Sequence, residues 1–106
     1  IVSGGENVFA AEVENAIAKH PAIHASAVIG IPSEQWQEQV HAILVLKPGA
    51  KEMTLEEMRN HCKQYIAGYK RPRSIEFRDS LPLTTMGKVG KNILRAPFWE
   101  GHVRKV

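Results

Sequence analysis

The chain has 106 residues, 43% of them apolar and 24% charged, with a formal net charge of +3 and an isoelectric point near 9.2. That length fits one domain with a single core, and the balance of apolar and charged residues excludes a disordered polymer. No apolar run is long enough to span a bilayer, no signal peptide opens the chain, and the single cysteine, Cys62, excludes an internal disulfide; the expectation is a small core thiol in a reducing, cytoplasmic setting.

The chain opens at Ile1, without a methionine, on an apolar pair that runs into Ser3-Gly4-Gly5, and it reads as a piece of a longer polypeptide. Asn7 or a neighbour is placed to cap a helix from about Ala10 to Lys19. Phe9 is positioned to staple against Val13, and Val13, Ala16 and Ile17 share one face. Glu12 and Glu14 fall in the first turns, where the helix dipole favours negative charge; capping explains them better than acid–base work. Pro21 closes the helix because it cannot donate the next backbone bond.

Ile23 to Ile31 reads as a buried strand ending at Pro32, and Ser33 to Gln37 as a polar connection carrying Trp36. Val40 to Leu46 is a second strand, stopped by Pro48-Gly49. Two apolar strands on a short connection predict an antiparallel pair. Thr54-Leu55-Glu56-Glu57 has the form of a capping box, and Leu55, Met58, Cys62 and Ile66 follow at helical spacing, with Gly68 as a left-handed stop. Ser74 to Phe77 is a short strand, Asp79 to Pro82 a turn, Thr84 to Gly90 an irregular loop, and Lys91 to Arg95 a last short helix. These elements predict an α+β domain with two or three helices packed on a short, mainly antiparallel sheet.

The positive charge is concentrated towards the C-terminus, at Lys70, Arg71, Arg73, Lys88, Lys91, Arg95, Arg104 and Lys105. Such a run is compatible with nucleic acid, with phosphorylated small molecules, or with a solvated face. The loop Leu81-Pro82-Leu83-Thr84-Thr85-Met86-Gly87-Lys88-Val89-Gly90-Lys91 is not a Walker A sequence, because Pro82 stands where that motif needs its first glycine. Its hydroxyls, open backbone and lysine suit an anionic ligand, or a plain surface turn. Ser3-Gly4-Gly5 allows close backbone approach or marks a hinge. Trp36 is half-buried or a stacking platform, and Tyr69-Lys70-Arg71-Pro72-Arg73 either grips a phosphate or forms a basic edge. His20 and His24 are separated by Pro21, and His61 adjoins Cys62 on a helix, so no zinc-site spacing is present and no metal is expected. No serine–histidine–acid pattern stands out.

In order along the chain, Ser-Gly-Gly-Glu-Asn-Val, Ala-Glu-Val-Glu, His-Pro, Tyr-Lys-Arg-Pro, Leu-Pro-Leu-Thr-Thr-Met-Gly-Lys and Leu-Arg closely resemble the C-terminal domain of the adenylate-forming superfamily of acyl-CoA synthetases, luciferases and peptide-synthetase adenylation domains. The resemblance runs from Ile1 to Arg95, and Pro97-Phe98-Trp99-Glu100-Gly101 further resembles fatty-acyl-CoA ligases. It implies that residues 1–106 are the mobile C-terminal domain of an ATP-dependent carboxylic acid–CoA ligase whose large N-terminal adenylating domain is absent here. By resemblance, Lys88 is the adenylation lysine. Ser3, Gly4 and Gly5 form the loop facing the pantetheine channel, and Trp36, Tyr69, Lys70 and Arg71 meet the coenzyme A nucleotide. ATP, the carboxylic acid and coenzyme A are the implied substrates, with Mg2+ accompanying ATP in the full-length enzyme. Ala10 replaces a proline usual in the family, and the family's hinge residue is missing, so the isolated domain is expected to be inactive. The competing readings are an adenylating domain serving a carrier protein and a free-standing basic module that binds nucleic acid.

Overall fold

The computed structural model describes residues 1–101; Arg104 and Lys105 of the basic run lie outside the described residues. Strands β1 (Val2–Ser3) and β2 (Glu6–Asn7) precede helix α1 (Ala10–Ala18). They are followed by β3 (Ile23–Ser33), β4 (Gln37–Leu46), α2 (Leu55–Cys62), a 3-10 turn at Gly68–Lys70, β5 (Ser74–Phe77) and α3 (Lys91–Trp99). The fold is α+β, with three helices and a five-stranded sheet that is antiparallel except where β5 lies parallel to β4.

Strand β4 is the axis of the sheet. Along one edge it pairs with β3 from Ile23↔Leu46 to Ser33↔Gln37, with a bulge between Ile23 and Ala25. Along the other it meets β1 at Ser3↔Gln37 and β5 from His41↔Ser74 to Leu44↔Phe77. Because side chains alternate across a strand, β4 feeds two cores. Val40, Ala42 and Leu44 join Val13, Ala16 and Ile17 of α1 and Met58 and Cys62 of α2 on one face. Ile43 joins Ala27, Ile29 and Ile31 of β3 on the other, covered by Leu94 of α3 with Phe98 packed against it. This double burial explains why β3 and β4 read as nearly continuous apolar runs.

The expected capping of α1 is corrected. Asn7 lies in β2, paired with Val2, and Phe9 is the N-cap residue without a side-chain cap. Phe9 is also 69% exposed, while Val8 is buried in the Val13 core. The staple therefore sits one residue earlier, between the N′ and N4 positions, where its geometry requires it. Glu12 and Glu14 do more than complement the dipole: Glu12 pairs with Lys70, and Glu14 accepts the Val28 N–H at 2.9 Å and pairs with Lys91.

The capping box of α2 forms as expected, with the Glu57 N–H donating to Thr54 Oγ1 and the Thr54 N–H to Glu57 Oε1. The regular helix stops at Cys62, although Ile66 remains buried. Gly68 is not a left-handed cap; it begins the 3-10 turn, and the positive-φ glycines are Gly4, Gly5, Gly49, Gly87 and Gly101. Helix α3 runs four residues beyond Arg95, through Pro97. Burial of Leu94 and a hydrogen bond from Trp99 Nε1 to the Gly30 carbonyl at 2.8 Å hold that extra turn on the sheet, which offsets the bond Pro97 cannot donate. Among the described residues no helix is long and apolar enough to cross a membrane.

Candidate functional site

The loop carrying Lys88 is a closed miniature hairpin. Leu83 and Val89 form an isolated antiparallel bridge, the Thr84 N–H donates to the Lys88 carbonyl at 2.7 Å, and the Gly87 N–H donates to the Thr84 carbonyl at 2.9 Å. Gly87 has φ +77°, the left-handed residue that a turn followed by a bulge needs. The Lys88 N–H returns to Thr84 Oγ1 at 3.3 Å. Thr84 thus spends its backbone and hydroxyl on shaping the loop, and the Gly90 N–H ties the loop's exit to the Pro82 carbonyl at 2.8 Å.

The two lysines of this segment separate cleanly. Lys91 Nζ is 2.9 Å from Glu14 Oε2 and anchors the start of α3 to α1. Lys88 is exposed, and its ammonium has no side-chain partner among the described residues. Around it Met86 is 82% and Leu83 63% exposed. The loop therefore presents a free cation on a fixed, largely apolar tip.

A second cluster forms where β1 meets the β3–β4 turn. The Gly4 N–H donates to the Trp36 carbonyl at 2.8 Å, and the Trp36 N–H donates to Ser33 Oγ at 3.1 Å. A side chain on Gly4 would place its Cβ 3.1 Å from Trp36 Cε3, so glycine is what lets this turn lie against the indole. On Trp36 rests Arg73, whose guanidinium carbon is 3.7 Å from the ring centroid, a cation–π contact. An open cleft of about 460 Å3 adjoins them, lined by Gln35, Trp36, Gln39, Leu55, Arg59 and Arg73. A neighbouring cleft of about 290 Å3 is lined by Leu55, Glu56, Arg59, Asn60, Lys63 and Arg71.

The sequence-predicted residues divide between these surroundings. Gly4 and Trp36 touch, Gly5 is exposed beside them, and Arg71 borders the adjoining cleft. Ser3 turns its side chain inward and is 3% exposed, its hydroxyl buried without a hydrogen-bond partner among the described residues. Tyr69 and Lys70 occupy the 3-10 turn, where Lys70 Nζ bonds both Glu12 oxygens at 2.9 and 3.1 Å. That bond to Glu12 holds the Lys70 ammonium above its usual pKa. Two arginines complete the cluster. Arg73 belonged to the basic stretch noted above, and the alternation of an extended segment would put it on the same side as Arg71. Arg59 had no sequence signal beyond its place on an amphipathic helix.

The histidines form local ties. His41, 5% exposed, lies 2.6 Å from Ser74 Oγ through Nδ1 and 2.8 Å from Glu76 Oε1 through Nε2. This is a serine–histidine–acid chain not anticipated from the sequence. Both ring nitrogens and the Ser74 hydroxyl, which also receives Gln39 Nε2 at 3.0 Å, are spent on fastening β5 to β4. Burial pushes the Glu76 carboxyl up, but hydrogen bonds from His41 and Arg78 outweigh it and hold Glu76 below the usual carboxylate value. His20 and His61 meet edge-on at 4.9 Å. No group of three or more histidine, cysteine, aspartate or glutamate side chains converges among the described residues.

A small α+β domain bearing a fixed loop lysine and an arginine-faced tryptophan is the class that fold and geometry define. The chain belongs to the AMP-binding enzyme C-terminal domain family, whose model matches residues 12–88. It is 42% identical, over its whole length, to the medium/long-chain-fatty-acid–CoA ligase FadD8 of Mycobacterium tuberculosis. It is 38% identical, again over its whole length, to the fatty acid–[acyl-carrier-protein] ligase ScoC of Streptomyces coeruleorubidus. The ATP-bound crystal structure of MatB from Rhodopseudomonas palustris superposes on 97% of the chain with a TM-score of 0.86 and 34% identity. In each case the chain spans 20% of the other protein's length.

Proposed function

We propose that this chain is the mobile C-terminal domain of an ATP-dependent carboxylic acid–CoA ligase, with Lys88 as its adenylation lysine and the Gly4–Trp36 cluster as its contribution to the coenzyme A site. The observation that carries the proposal is the division of labour in the loop. Lys91 is neutralised by Glu14 while the ammonium of Lys88, three residues away, is exposed with no side-chain partner among the described residues. In the first half-reaction the substrate carboxylate attacks the α-phosphorus of ATP, giving the acyl-adenylate and releasing pyrophosphate. Two anions must approach, and charge builds on the phosphoryl oxygens; a lysine ammonium between them offsets both. In the second, the coenzyme A thiol attacks the acyl carbonyl, loses its proton and expels AMP. There the Ser3-Gly4-Gly5 turn would border the pantetheine channel, and Trp36 with Tyr69, Lys70 and Arg71 would meet the nucleotide. Mg2+ would accompany ATP.

The test is a polypeptide carrying this domain behind its adenylating domain, with Lys88→Ala. Loss of one charge-stabilising group should slow adenylate formation about 10²–10³-fold and spare thioester formation from supplied acyl-adenylate. Equal loss of both steps would refute the assignment. Family membership leaves the acceptor open, since ScoC is named for a carrier protein. The Trp36–Arg73 stack supports coenzyme A, because a carrier protein presents the pantetheine arm without an adenine nucleotide. The nucleic-acid reading is not favoured: within the basic run Lys70 and Lys91 are each paired with a carboxylate, which breaks it up.

A further inference from the structure

A carboxylate from α1 supports the base of the Lys88 loop. Glu14 Oε2 accepts the Val28 N–H of β3 at 2.9 Å and lies 2.9 Å from Lys91 Nζ, so one oxygen joins α1, β3 and α3. Lys91 is the first residue of α3, directly after the N-cap Gly90, and that helix has no side-chain cap and no acidic residue in its first turn. A lysine there stands at the positive end of the helix dipole, where a cation is unfavourable. Glu14 supplies from another element the negative charge that the helix lacks. Both side chains are partly buried, Glu14 24% and Lys91 31% exposed, so salt screens the pair less than an exposed one. The loop has few other holds on the domain. The hydrogen bonds that shape it run between Pro82, Thr84, Gly87, Lys88 and Gly90 themselves, and Leu83 and Met86 are exposed, leaving Leu81 and Val89 to pack on the core beneath α3. Among the described residues, Lys91–Glu14 is the only ion pair that joins residues 81–91 to the rest of the chain.

We infer that Glu14 is a positioning residue for Lys88: by pinning Lys91 it sets the start of α3 and the exit of the loop, and it keeps Lys91 from offering a second free ammonium beside the first. The inference rests on the reading of Lys88 as the adenylation lysine and deepens it. Only Val89 and Gly90 separate Lys88 from Lys91, and both are closed onto the other arm of the hairpin, Val89 onto Leu83 and Gly90 onto Pro82. A displacement of Lys91 is therefore passed to the hairpin base, with no slack chain to absorb it. A catalytic charge works only where it stands correctly, and a misplacement of about 1 Å costs about 10²-fold. Glu14 touches neither the acid nor the phosphate in this scheme; it acts through Lys91 alone.

The experiment uses the full-length ligase that contains this domain, with Glu14→Gln, Lys91→Met, Lys91→Arg, Lys88→Ala and the double variant Glu14→Gln/Lys88→Ala. Glu14→Gln keeps an amide oxygen for the Val28 N–H and loses the charge. Pyrophosphate release and thioester formation from supplied acyl-adenylate are timed separately for each, and thermal unfolding checks the fold. Glu14→Gln and Lys91→Met should each slow adenylation about tenfold, through kcat more than through the KM for ATP, and leave the thioester step at the wild-type rate. Lys91→Arg, which keeps the pair, should stay close to wild type. In the Lys88→Ala background Glu14→Gln should cost nothing further, because the residue it positions is gone. Lys91→Met carries the test if Glu14→Gln does not fold, since it leaves the Val28 bond intact. Unchanged adenylation in both single variants, a loss shared equally by the two half-reactions, a loss in Lys91→Arg as large as in Lys91→Met, or a full further loss on top of Lys88→Ala would overturn the positioning role while Lys88 keeps its assignment. Wild-type adenylation in Lys88→Ala would instead overturn the reading of Lys88 itself.

Discussion

Substituting alanine at Gly4 and at Gly5 separates backbone strain from the contact that builds the Trp36 cluster. Both glycines are left-handed, with φ +59° and +82°, and an L side chain there costs about 1–2 kcal/mol. Stiffening of the unfolded chain by alanine offsets about half of this, equally at both sites. The surroundings differ. A Cβ on Gly5 meets nothing within 4 Å, whereas one on Gly4 lies 3.1 Å from Trp36 Cε3 and 3.5 Å from Cζ3. The indole cannot yield freely, because Arg73 stacks on it at 3.7 Å and its carbonyl is bonded to the Gly4 N–H. A shift of a few tenths of an ångström weakens both the ring contacts and a cation–π pair worth about 0.5–1 kcal/mol. Gly4→Ala should therefore be less stable than Gly5→Ala by about 0.5–1 kcal/mol. In urea unfolding, with a slope of roughly 1–3 kcal/mol/M, that is a midpoint difference of a few tenths molar. Gly4→Ala should also bind coenzyme A more weakly than Gly5→Ala. Equal stability and equal binding in the two variants would refute the view that Gly4 is selected by the indole.

Leu94 is the one fully buried residue of α3, so Leu94→Ala should cost about 3 kcal/mol, a large fraction of the roughly 5–15 kcal/mol typical of a domain; a loss below about 1 kcal/mol by chemical unfolding would show that Phe98 and Trp99 suffice to dock the helix. His20 is held below its ordinary pKa of 6.5 mainly by burial, then by the neighbouring His61, with Glu57 opposing. Because the unfolded chain then binds the proton more readily, stability should be full above about pH 6.5 and decline as pH falls below it, a slope that His20→Asn removes from thermal midpoints measured between pH 5 and 7.5. Glu76, held low in the fold, adds a second loss once pH falls below its ordinary 4.5. The Cys62 thiol is fully buried and its pKa is raised by that burial against the pull of Arg71 and Arg59, so a thiol reagent should label it only as fast as the protein unfolds; rapid stoichiometric labelling of the native chain would contradict this.

What the sequence made legible was local or periodic. The α2 capping box, β5 and the α1 core stripe each lie within a window of a few residues, and β3 and β4 are consecutive apolar runs on a short connection, so spacing alone located them. The errors came where tertiary contacts override local signals. Nothing local distinguishes Val8 from Phe9 as the staple, because the choice depends on where the first helical turn begins. Nothing local extends α3 through Pro97, because the Trp99–Gly30 hydrogen bond spans 69 positions. The same rule decides the acidic residues of α1, whose partners Lys70 and Lys91 lie far along the chain.

The candidate site follows that rule as well. Lys88 was legible because its loop is continuous in sequence, and the loop's hydrogen bonds run between Thr84, Gly87 and Lys88 themselves. The Trp36 cluster was legible only as separate pieces, since it draws on β1, the β3–β4 turn and the segment before β5. Arg59 was not legible at all. An arginine on the polar side of an amphipathic helix is ordinary until the fold lays Arg71-Pro72-Arg73 across it, where its Nη1 donates to the Pro72 carbonyl at 2.7 Å and to the Arg71 carbonyl at 3.3 Å. A side chain that bonds only the backbone of another segment leaves no periodic or compositional mark in the sequence. In this domain the free lysine can be found by inspecting one loop, whereas the double cleft exists only once three stretches of chain have met.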